Sequence, residues 1–103
     1  MDRLKREKLR KNGWKVGDID EFLGLNEAEV ALVEMKVSLA KALLEKRKKL
    51  GETQWNAAKM AKTSQSRFAK MENADPSVSI ELLIRALFSL GASKKETLKA
   101  MAG

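Results

Sequence analysis

The sequence predicts an all-α protein, a bundle of about five helices behind an N-terminal extension, and three observations carry that expectation. Apolar residues recur at spacings of three and four, the repeat of one helix face. Capping residues stand at the head of each such stretch, with glycine or a proline cluster at the foot of most. No stretch alternates apolar and polar residues as a half-buried strand would. The length of 103 residues fits one folded domain, read as residues 26–103 behind a basic and acidic extension over 1–25.

The extension opens on a basic run and continues into Gly13-Trp14-Lys15-Val16-Gly17, where two glycines favour a turn or extended chain. Asp18-Ile19-Asp20-Glu21-Phe22-Leu23 has room for about one and a half helical turns before Gly24. A long helix starts at Asn26, which can cap, with Glu29 three residues on to reach back. Its expected core face is Val30, Val33, Val37, Ala40, Leu43, Leu44 and Leu50, and Gly51 stops it. Thr53 caps a short helix to about residue 61, where Ala57, Ala58 and Ala61 are small enough for another helix to approach closely. Lys62-Thr63 makes the turn, and Ser64 caps a second short helix from 65 to about 73 with Phe68 and Met71 inward. Asn73-Ala74-Asp75-Pro76 breaks it. Ser79 caps a helix over 80–90, with Leu83 and Leu87 in the core, that Gly91 ends. Ser93 and Glu96 form a second capping box for a final helix to about 102.

Composition narrows the function. Lys and Arg number 21 against 14 Asp and Glu, a net charge of +7 that points to a polyanionic partner. The charge is segmented: +4 over residues 1–12, −6 over 16–34, and +7 over 35–72. A charge run is by itself only a solvated helix face, so motifs must decide what these blocks do. The chain holds no His, Cys or Tyr, which excludes a zinc site, a thiol nucleophile and a Ser-His triad and implies no metal or other cofactor. Carboxylates such as Asp18 and Asp20 have no His, Cys or Gly-rich loop to work with, so the reading is of a non-enzyme. No apolar run approaches the ~20 residues of a membrane span, and Met1-Asp2-Arg3-Leu4-Lys5 lacks the apolar core of a secretion signal. A cytoplasmic location is expected.

Two short helices joined by a tight turn, the second capped by Ser and opened by polar residues, suit a helix N-terminus entering a DNA major groove. The string Thr53-Gln54-Trp55-Asn56-Ala57-Ala58-Lys59-Met60-Ala61-Lys62-Thr63-Ser64-Gln65-Ser66-Arg67-Phe68-Ala69-Lys70-Met71-Glu72 resembles the helix-turn-helix of the lambda-repressor-like superfamily, the XRE family. Within it the resemblance is to HigA-type antitoxins of type II toxin-antitoxin modules, through Trp14-Lys15-Val16-Gly17, Phe22-Leu23-Gly24-Leu25 and Asp75-Pro76-Ser77-Val78-Ser79. It covers roughly residues 13–99. One position departs from the pattern: the turn residue at which the superfamily favours Gly is Lys62. A left-handed backbone there would cost Lys roughly 1 kcal/mol over Gly while placing a cation near the DNA backbone.

By motif position the resemblance assigns base-edge readout to Gln65, Ser66 and Lys70, with Arg67 beside them at the groove wall. The chemistry agrees, because Gln pairs bidentately with adenine, and Lys and Arg donate to guanine. Thr53, Gln54, Lys59 and Lys62 are expected over phosphates, Thr53 also acting as a simple cap. Arg47 and Glu72 are expected to form a structural ion pair, as in many of these repressors, rather than to read DNA. The helix over 80–90 is apolar on two faces and so needs a second partner. A two-fold dimer through Ile84, Phe88, Leu98 and Met101 would set two recognition helices about 34 Å apart on a palindromic operator.

The acidic block would be repelled by phosphate and should face away from DNA. The resemblance implies a basic toxin there, an mRNA endonuclease of the HigB or RelE type, with Trp14, Phe22 and Leu23 as anchors; the alternative is that these three pack the chain's own helices. The basic start over 3–11 suits a phosphate-contacting arm, a disordered tail or a toxin contact alike. The expected function is a dimeric DNA-binding antitoxin and autorepressor. Two other readings stand beside it, a stand-alone XRE-family regulator without a toxin and a helical interaction adaptor that does not bind DNA.

Overall fold

Five helices make up the regular structure of residues 26–103, the part described by the computed structural model, and no strand occurs among them. They are α1 (Glu27–Leu50), α2 (Gln54–Met60), α3 (Gln65–Glu72), α4 (Ile80–Ser89) and α5 (Lys94–Ala102). The fold is all-α, with helix limits within a residue or two of those expected from capping residues. The helical turn expected within 18–23 lies outside the described residues. No helix among the described residues is long and apolar enough to cross a membrane.

Every one of these helices begins on a side chain that accepts an otherwise orphaned amide. Asn26 Oδ1 accepts from the Glu29 amide at 2.9 Å. Thr53, Ser64, Ser79 and Ser93 do the same for Asn56, Arg67, Leu82 and Glu96, each at 3.1 Å. In the first capping box, the Glu29 carboxylate accepts from the Asn26 side-chain amide at 3.2 Å. In the second, Glu96 reaches across to Lys46 of α1, also at 3.2 Å.

The first four helices end with one geometry. After α1, the amides of Gly51 and Glu52 donate to Lys48 and Arg47 carbonyls, the paired bonds of a Schellman motif. The same pair follows α2 (Lys62 to Lys59, Thr63 to Ala58), α3 (Ala74 to Met71, Asp75 to Lys70) and α4 (Gly91 to Phe88, Ala92 to Leu87). The motif demands a left-handed residue, which Gly51 and Gly91 supply without strain at φ 72° and 92°. Lys62 at φ 56° and Ala74 at φ 53° supply it at a cost. The turn at Lys62 is therefore the same left-handed type that glycine would favour. The left-handed state of Ala74 carries no sequence signal beyond the helix-breaking Asp75-Pro76 that follows it.

Met35–Gly103 forms one compact unit; the other, Met1–Glu34, enters the described residues only through 26–34. The core of the compact unit takes Leu39, Ala40 and Leu43 from α1, Ala57 and Ala58 from α2, Phe68 and Met71 from α3, and Leu83, Ala86 and Leu87 from α4. Val78 and Leu90 complete it from the connections. The alanines let α2 pack closely on α3. Phe68 is fully buried, so its truncation to Ala would cost about 3–5 kcal/mol. The core face expected for α1 needs correction. Leu39, absent from the predicted stripe, is fully buried, whereas Val33, Val37 and Leu50 are about half exposed. This helix carries apolar residues on more than one stripe, and only the stripe through Leu39, Ala40 and Leu43 is covered by the core.

Candidate nucleic-acid interface

Three of the five helices are held together by one carboxylate. Glu72, in the last turn of α3, accepts from Arg47 of α1 through Nε at 2.6 Å and Nη2 at 3.2 Å. It also accepts from the Gln54 amide of α2 at 2.7 Å. Arg47 Nη1 donates to the Glu52 carbonyl at 3.0 Å, fixing the connection between α1 and α2. The side chains of Arg47 and Glu72 are 15% and 3% exposed, so this pair is shielded from solvent and from any ligand. Its effect is to set the angle of α3 against α2.

With α3 so held, Phe68 and Met71 point into the core and Gln65, Ser66, Arg67 and Lys70 are all exposed. Ser64 closes the first turn by accepting from the Arg67 backbone amide. On α2 and the turn, Thr53, Lys59 and Lys62 are exposed, Thr53 using its hydroxyl as a cap. Lys59, Lys62, Arg67 and Lys70 put four cations on this surface, while the single carboxylate between residues 53 and 73 is the buried Glu72. Of these four cations, Lys70 also lies within electrostatic reach of the Asp75 carboxylate. Gln54 departs from the role expected of it: its side chain is half-buried and its amide is engaged by Glu72, so it serves the α1–α2–α3 link instead of reaching out freely to phosphate.

After α3 the Asp75 carboxylate accepts from the Ser77 amide at 2.9 Å and hydroxyl at 2.7 Å, forming a turn around Pro76. These bonds hold the Asp75 carboxyl below its ordinary value, and Lys70 and Lys36 lower it further.

Among the residues expected at a dimer interface, Phe88 is 46% and Leu98 66% exposed. Ile84 and Met101 are only partly exposed and pack against the core, so the free apolar surface is narrower than the four residues suggested. Trp14, Phe22 and Leu23, expected at a toxin contact, lie outside the described residues. Among the described residues no group of three or more carboxylate, His or Cys side chains could hold a metal ion.

Two exposed residues had no role in the sequence reading. Trp55 is 56% exposed on α2, with Lys59 Nζ 5.1 Å from its ring centre, a cation–π contact on the same surface. Arg85 of α4 is the other; only the packing of α4 beside the α2–α3 turn brings it near Lys62 and Arg67.

No family model matches the chain, and neither the curated proteins nor the solved structures contain a match.

Proposed function

We propose that this chain is a dimeric, sequence-specific binder of double-stranded DNA, with α2 and α3 as a helix-turn-helix and α3 as its recognition helix. The observation that carries the reading is the exposed surface of α2, turn and α3. It bears Lys59, Lys62, Arg67 and Lys70 with no exposed carboxylate, beside the amide and hydroxyl of Gln65 and Ser66. Cations of this kind supply affinity for phosphate, and Gln65, Ser66 and Lys70 have the donors and acceptors to distinguish base edges, with Arg67 beside them at the groove wall. The resemblance to HigA-type antitoxins extends the proposal to autorepression of a toxin-antitoxin operon, with the toxin held through Trp14, Phe22 and Leu23.

The test is selection of duplexes from a random pool. Wild type should enrich a palindrome, and Gln65→Ala should lose about 1–3 kcal/mol of preference at one base pair of each half-site. Failure to enrich any sequence would sink the reading in favour of a helical adaptor. Co-expression with the products of neighbouring genes tests the toxin: stable co-purification with a small basic protein is expected, and its absence leaves a stand-alone regulator.

A further inference from the structure

A groove of about 520 Å³ runs between the α2–α3 turn, α3 and α4. Lys62, Arg67 and Arg85 line it, and no carboxylate does. Its apolar lining includes Met71 and Leu82, with the exposed ring of Phe88 alongside. Arg85 pairs with Glu81 at 3.0 Å, but both side chains are about three-quarters exposed, and such a pair competes poorly with a bound anion. The groove between α1 and α5 differs: there Lys46, Lys49 and Lys99 stand beside Glu45 and Glu96, which offset much of their charge.

We propose that the groove of Lys62, Arg67 and Arg85 seats the sugar-phosphate backbone of bound DNA, with Arg85 making α4 a third DNA-contacting element; this rests on the DNA reading above. Phosphate satisfies the three cations, and the apolar C–H edge of deoxyribose suits Leu82. An acidic peptide shares the charge. A duplex has the better claim, because the entry of α3 into the major groove brings phosphate to Lys62 and Arg67 in the same event.

The experiment measures affinity by fluorescence anisotropy across a salt series, on a duplex selected by the wild-type protein and on a scrambled one. Arg85→Gln should weaken binding to both duplexes equally and reduce the magnitude of the salt slope by about 0.9. Arg85→Lys should restore the slope. Lys94→Gln removes the same charge from an exposed site of α5 outside the groove, and should leave the slope unchanged. Equal effects of Arg85→Gln and Lys94→Gln, or none from either, overturn the role of Arg85 while DNA binding stands. An unaltered DNA slope with weakened retention on polyglutamate overturns it in favour of an acidic protein partner. A wild-type protein with no salt-dependent binding to any duplex sinks the DNA reading and this inference together.

Discussion

The Arg47 guanidinium grips the Glu72 carboxylate through two nitrogens, at 2.6 and 3.2 Å, and so joins the end of α1 to the end of α3. Removing one partner of so shielded a pair leaves the other buried and uncompensated, a loss of about 3 kcal/mol. Glu72→Ala should therefore lower thermal stability by that order, strand the Gln54 amide as well, and leave base preference unchanged in a selection experiment. A shifted consensus at unchanged melting temperature would show that Glu72 faces the DNA instead.

Lys62 and Ala74 occupy left-handed positions on either side of α3, where glycine carries no Cβ penalty. Lys62→Gly and Ala74→Gly should each stabilise the fold by up to about 1 kcal/mol in denaturant unfolding, since the relief of strain exceeds the added entropy of the unfolded chain. They should part company on DNA. Lys62→Gly is expected to weaken binding to all sequences and lower the salt slope by about 0.9, whereas Ala74→Gly should leave binding unchanged. Equal affinities for the two variants would remove Lys62 from the phosphate contacts.

The helices were legible in the sequence because their punctuation is local: Asn26, Thr53, Ser64, Ser79 and Ser93 cap as their spacing implied, and Gly51 and Gly91 end helices at positive φ. The exposed set on α3 was legible for the same reason, since Phe68 and Met71 three residues apart define which side is inward. The core stripe of α1 was legible only in part: Ala40 and Leu43 are buried as expected, whereas Leu39 was missed and Val33 and Val37 are half exposed. Periodicity locates apolar residues on a helix, but Val33 and Val37 compete with Leu39 on that criterion, and only packing decides which residues are covered. The bond from Gln54 to Glu72 and the approach of Arg85 to Lys62 escaped for a related reason. Both depend on residues brought together from different helices, which no spacing along the chain encodes.

Acid should destabilise the fold partly through Glu96 and Asp75. Lys46, by hydrogen bond and by charge, holds the Glu96 carboxyl below its ordinary value of 4.5, and the bonds from Ser77 hold Asp75 below 3.8. A carboxyl lowered in the folded state contributes stability above its unfolded value and loses it as pH falls through the lowered one. Melting temperature should therefore decline below about pH 4.5, and the decline should be shallower in a Glu96→Gln, Asp75→Asn double variant. Glu96 is exposed and Asp75 partly so, so the difference should shrink at high salt. Parallel curves for wild type and the double variant would refute the assignment.

The proposed dimer is best probed where the apolar surface is free. Ile84 and Met101 pack partly against the core, so a charge at either would unfold the domain and report nothing about association. Phe88 and Leu98 are exposed, so a charge at either costs the monomer little. Phe88 also borders the groove of Lys62, Arg67 and Arg85, so Leu98 is the cleaner site: Leu98→Asp should sediment as a monomer at concentrations where wild type is dimeric, with a little-changed melting temperature at high dilution. Losing the second half-site should then weaken binding to a palindrome by at least about tenfold, near 1.4 kcal/mol, while binding to a single half-site changes far less. A Leu98→Asp protein that remains dimeric moves the interface elsewhere. One that becomes monomeric yet binds the palindrome as tightly as wild type would separate dimerisation from DNA recognition.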